Sequence, residues 1–112
     1  MAEAIQVVTT AATKADAQAI ATAVVTKRLA ACAQVMGPIT STYWWQGKIE
    51  TADEWLCVMK SRQDLYEELE QTIRQAHPYE VPEILAFPVV LGSQDYLEWM
   101  DHELAQAVDG GQ

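Results

Sequence analysis

Basic side chains are scarce. Seven Lys and Arg stand against sixteen Asp and Glu, a formal charge of −9, and because nucleic-acid affinity is drawn from cations that neutralise phosphates, this balance excludes nucleic acid as an expected partner. All of the imbalance lies in the second half: residues 1–60 carry five basic and five acidic side chains, residues 61–112 two and eleven. The acidic half reads as solvated helix surface. Cysteine is nearly absent, and Cys32 and Cys57 form no CxxC pair, so free thiols are expected. There is no Gly-rich phosphate loop, which leaves a nucleotide site of the familiar kind without support. No apolar run approaches the roughly 20 residues of a membrane helix. Met1 to Thr10 lacks the basic start and apolar core of a signal peptide. The expectation is a cytoplasmic protein with no membrane partner. What the chain does have is apolar substance: half of its 112 residues, with 21% charged, imply one globular domain over 1–112.

The stretch from Ala33 to Lys60 reads as one long β-hairpin turning at Gln46-Gly47. Ile39, Ser41, Tyr43 and Trp45 fall on one face of its first arm, and Thr40, Thr42 and Trp44 on the other. In the second arm Trp55, Cys57 and Met59 alternate with Leu56, Val58 and Lys60. Gly47 supplies the positive φ of a tight turn. A two-residue turn pairs Cys57 with Met36 and Cys32 with Ser61, leaving the sulfurs about 13 Å apart along the ladder, beyond disulfide reach. A bulge at Gly37-Pro38 shifts that register by a residue or two. Arms of about a dozen residues exceed the usual strand of about 5 or 6. Such a hairpin, rich in aromatics, needs a cover, and a second copy of the chain is the expected one.

Ile5 to Thr10 fits a buried strand. Thr13 and Asp16 have capping-box spacing, and Ala17, Ile20, Ala21, Val24, Val25 and Leu29 follow at helical spacing, predicting a helix that ends near Ala31. Ser61 and Asp64 repeat the box, and Leu65, Tyr66, Leu69, Ile73 and Ala76 line a second helix that stops before Pro78. Val81 to Leu91 looks extended, but Pro82 and Pro88 place it at a sheet edge. Ser93 can cap a third helix with Leu97, Met100, Leu104 and Val108 inward, and Asp109 to Gln112 should fray. The first six elements give a ferredoxin-like βαββαβ fold of the α+β class, with a long central hairpin and an additional C-terminal helix.

Five segments then carry a resemblance: Arg28-Leu29-Ala30-Ala31-Cys32-Ala33, Tyr43 to Glu50, Met59-Lys60-Ser61, His77 to Glu83, and Tyr96-Leu97-Glu98-Trp99. In order and spacing they resemble the CutA family, named for divalent cation tolerance. The resemblance implies a compact homotrimer, similar in architecture to the PII signalling proteins, with no established enzymatic activity and with roles in metal tolerance and copper binding. Bacterial copper binders of the family carry a cysteine at the end of the first strand and two adjacent histidines before Pro-Tyr. This chain has Thr9, Ala76 and His77 at those positions.

His77 is therefore the single candidate ligand for Cu²⁺ or another divalent cation, with capping of the second helix as its other reading. His102 reads as surface. Tyr43, Glu50, Lys60, Glu80 and Trp99 come from the segments of resemblance. In a cleft between subunits, Lys60 can meet an anion while the aromatics stack a small ligand, as in a PII-like sensor. Equally, Lys60 can pair with a carboxylate across the interface of a trimeric scaffold. Glu80 with Glu83 as acid and base, or Cys57 as a nucleophile, would need a histidine partner that the sequence does not provide. No enzyme is expected.

Overall fold

The computed structural model describes residues 3–106. Its elements are β1 (Ala4–Ala11), α1 (Lys14–Thr26), β2 (Cys32–Trp45), β3 (Lys48–Arg62), α2 (Tyr66–Ala76), β4 (Ile84–Pro88) and α3 (Gln94–Glu103). The four strands form one antiparallel sheet in the order β2-β3-β1-β4, the expected ferredoxin-like arrangement with the extra helix at its end.

Alternation decides which face of the sheet is dry. Ile5, Val7 and Thr9 of β1 stand opposite Ser61, Met59 and Cys57 of β3, and all six are buried. Against them pack Ala17, Ile20 and Val24 of α1 and Leu69 and Ile73 of α2. The opposite face carries Val8, Val58, Leu85 and, next to them, Leu56, Met36, Gln6 and Phe87, paired across the register and therefore on one side. Of these seven only Val58 is buried, while Met36, Leu85 and Phe87 stay about half exposed.

Helix α1 begins where the sequence indicates, the Asp16 amide donating to Thr13 Oγ1 at 3.0 Å. It ends at Thr26, five residues short of the expected Ala31. The Leu29 amide donates to the Val24 carbonyl and the Arg28 amide to that of Val25, at 3.0 and 2.9 Å, which is the Schellman closure. Arg28 takes the left-handed conformation there, at φ 58°. That position is usually glycine, so no stop signal was visible, and Leu29 belongs to the core through the turn rather than the helix.

The second helix also starts later than expected. Ser61 remains in β3 and its hydroxyl donates to the buried Leu29 carbonyl at 2.7 Å, so it caps nothing. A 3₁₀ turn over Gln63–Leu65 leads into α2. Asp64 instead accepts from Arg62, and Ala76, expected inward, is exposed. β4 is confined to five residues at the sheet edge, shorter than the Val81–Leu91 run. α3 starts after Ser93 as expected, although the Ser93 side chain makes no capping hydrogen bond, and it buries Met100, with Leu104 buried just past its end. Arg62 fastens it, donating to Asp101 Oδ1 and the Ala105 carbonyl, both at 2.7 Å. Val108 and the expected fraying of Asp109 to Gln112 lie outside the described residues.

The hairpin turns at Gln46 and Gly47, both at positive φ (49° and 79°), the two-residue geometry that matches strand twist. Its register slips by one between Met36 and Ile39, so Cys57 faces Val35 and Cys32 faces Lys60 rather than Met36 and Ser61. Gly37 sits in that bulge under Trp55, whose ring atoms would lie 2.8 Å from a Cβ there. Both thiols are free. β1 pairs with β3 only from Trp55 onward. The hairpin from Ile39 to Glu54 therefore projects past the rest of the sheet.

Candidate functional site: a closed polar joint and an open cationic patch

Pro78 forces the chain to leave α2 at His77, and the imidazole turns back onto β1. Nε2 lies 2.7 Å from the Thr10 carbonyl oxygen, while Nδ1 accepts the Tyr79 amide at 3.1 Å. Accepting an N–H requires a lone pair on Nδ1, so Nε2 carries the proton and donates it to Thr10. His77 thus ties the end of α2 to the sheet and does not cap the helix with its side chain. Tyr79 packs on the His77 ring, centroids 4.8 Å apart, and its hydroxyl donates to Glu54 Oε2 at 2.9 Å. Burial, then the neighbouring Glu54 carboxylate, push the Tyr79 hydroxyl up to about 12. In this arrangement both His77 nitrogens are occupied. No cluster of three or more His, Cys, Asp or Glu suited to a metal ion occurs among the described residues.

Thr9 and Cys57 are opposed on the dry face beside this joint. Thr9 is fully buried and its hydroxyl has no hydrogen-bond partner among the described residues. Cys57 is fully buried as well, and burial pushes its thiol up to about 11, which keeps it protonated and poorly nucleophilic at neutral pH.

A second group of polar side chains lies at the other end of β3. Lys60 Nζ donates to Gln34 Oε1 at 3.0 Å. Cys32, opposite Lys60, has its sulfur 3.5 Å from the Tyr96 hydroxyl, and this contact, then burial, raises the Tyr96 hydroxyl above its ordinary range. The Tyr96 and Trp99 rings lie 5.5 Å apart on α3. Gln6 faces Lys60 from β1.

Within one copy the expected cleft residues do not converge. Tyr43 and Glu50 oppose one another near the hairpin tip. Lys60 is ten residues further along β3, or about 33 Å at strand spacing. Trp99 lies near Lys60's end, and Glu80 is exposed in the loop after α2. Sequence reading missed Gln34, Gln6 and Tyr96 as companions of Lys60. Gln34 follows from the β2–β3 register once the one-residue slip is known and Gln6 from the β1–β3 pairing, whereas Tyr96 carries no local signal.

The model of the CutA1 divalent ion tolerance protein family matches residues 5–103. The chain belongs to that family. It is 46% identical over 92 residues to Protein CutA of Mus musculus, covering 82% of this chain and 51% of the mouse protein. It therefore spans about half the length of that relative. With the divalent-cation tolerance protein CutA of Citrobacter koseri it shares 38% identity over 102 residues, 91% of this chain and 89% of that one. The crystal structure of CutA1 from Oryza sativa superimposes with a TM-score of 0.91 at 33% identity, covering 94% of this chain and 96% of the rice chain.

Proposed function

We propose that this chain is a non-enzymatic divalent cation tolerance protein that works as a homotrimer of PII-like architecture. The observation that carries the reading is the projecting hairpin. From Lys48 to Glu54, β3 is paired on one side only, and the tip exposes Trp44 (72%), Ile49 (62%) and Trp45 (57%). The loops flanking β4 expose Val81, Val90 and Leu91 still more. An unpaired strand edge beside this much apolar surface calls for a partner strand and an apolar cover. A neighbouring copy supplies both when each hairpin extends the next sheet.

On this reading the ligand site is shared between subunits. Tyr43 and Glu50 near the tip of one hairpin come to the Lys60 and Trp99 end of another copy, with Glu80 at the margin. No single copy can assemble these residues. Cation binding is weak and centred on His77, because the imidazole must first release the Tyr79 amide to free the Nδ1 lone pair. Free thiols suit a cytoplasmic setting, and no helix among the described residues is long and apolar enough to cross a membrane.

Light scattering at micromolar concentration tests the assembly. The expected mass is three times the 12.4 kDa of the chain, falling when Trp44 and Trp45 are replaced by Asp. A wild-type mass of one chain would sink the proposal.

A further inference from the structure

Lys60 differs from the other lysines. Lys14, Lys27 and Lys48 are exposed, whereas Lys60 is half-buried, and it belongs to none of the four ion pairs formed among the described residues. Arg62, two residues on along β3, contacts two carboxylates and a carbonyl. Among the described residues Lys60 hydrogen-bonds a neutral amide oxygen alone, in a chain with an excess of nine negative charges.

Its surroundings are polar at close range and apolar beyond. Cys32 and Gln6 stand opposite it on the two neighbouring strands, and Val58 and Val8 come next along the same face. An ammonium keeps two protons after donating to Gln34. The Gln34 and Gln6 carboxamides add N–H donors, and the Tyr96 hydroxyl, close to Cys32, adds one more. The Tyr96 and Trp99 rings wall the α3 side. Covering this face with another subunit would strand a charge, because a buried ammonium is costly without a counter-charge.

We infer that the Lys60 patch is an oxyanion site, taking the carboxylate or phosphate group of a small molecule through Lys60, with Gln34, Gln6 and Tyr96 supplying further hydrogen bonds. This deepens the shared-site reading above and rests on it, since the second subunit closes the patch. The shared chemistry has a second source, a carboxylate of the neighbouring copy, and the two give different experimental results.

Calorimetry and thermal shift with inorganic phosphate and with citrate, on the wild type, Lys60→Gln and Lys60→Arg, test it. The wild type should bind at least one of the two anions. Lys60→Gln should weaken that binding about tenfold or more, and Lys60→Arg should keep most of it. Light scattering on the same samples reads the assembly separately. A trimer that binds neither anion, or binds equally well as Lys60→Gln, overturns the oxyanion site and leaves the trimer standing. A trimer that binds neither and loosens as Lys60→Gln assigns Lys60 to a neighbour's carboxylate, which also overturns the site. A monomer that binds neither overturns both readings.

Discussion

Replacing Thr9 by Val should stabilise the protein. Thr9 lies on the dry face of β1 between Cys57 of β3 and Ile84 of β4, fully buried, and its hydroxyl makes no hydrogen bond among the described residues. A hydroxyl desolvated without a hydrogen bond costs about 1–3 kcal/mol. Valine puts a methyl group of nearly the same size in its place, so no cavity opens and a β-branched residue still suits the strand. Taking the low end to allow for imperfect fit, Thr9→Val should gain about 1 kcal/mol. Thr9→Ser is the control: it keeps the stranded hydroxyl, deletes a buried methyl and should lose about 1 kcal/mol. Urea unfolding at one fixed chain concentration measures both, since the proposed assembly would make the midpoint concentration-dependent. With a slope of about 1–3 kcal/mol/M the Val variant should shift the midpoint upward by about 0.3–1 M. An unchanged or lower midpoint at unchanged slope would mean that the hydroxyl is satisfied in solution, and the reasoning would fail.

Two further outcomes follow from the joint at His77. Tyr79 ordinarily ionises near 10.0 and in the fold only near about 12, so between those values the unfolded chain has lost a proton that the folded chain keeps. Stability should therefore be unaffected by this group below pH 10.0 and fall as pH rises toward about 12; Tyr79→Phe should flatten that alkaline slope in a pH series of urea midpoints, and an identical slope would refute the assignment. Calorimetry with Cu²⁺ should find weak binding in the wild type that His77→Ala abolishes, whereas tight stoichiometric binding that survives the substitution would place the site elsewhere.

Signals that live within a few residues were legible in the sequence. Thr13 three residues before Asp16, Gly47 at the turn, Pro78 after α2 and the alternation of β3 each act locally, and each sets the boundary or face expected of it. Boundaries set by distant groups were not. Ser61 and Asp64 have the spacing of a cap, but the Leu29 carbonyl claims the Ser61 hydroxyl and Arg62 claims Asp64. Arg28 closes α1 in a conformation that an arginine seldom marks. The site residues divide in the same way. Lys60 stood out in the sequence and so did a bulge at Gly37-Pro38, yet its companions depend on the size of that slip, on the pairing of β1 with β3 and on the placement of α3, none of which residue spacing can fix.

The difference between His77 and Lys60 bears directly on where a ligand should be sought. His77 has a partner at each nitrogen, both supplied by its own chain, so the residue is complete in one copy and a cation must displace something to reach it. Lys60 is incomplete among the described residues: half-buried, cationic, and held by one neutral oxygen. A polar group already satisfied gains little from a newcomer, whereas an unmatched charge beside apolar surface gains both a counter-charge and relief from burial. The hairpin adds a geometric reason, for its unpaired edge and bare tryptophans are what a neighbouring copy would cover. If the chain assembles as proposed, binding at Lys60 and assembly are linked: an anion that matches the ammonium removes a cost of closing the interface, so oxyanions should tighten the proposed trimer as well as bind to it.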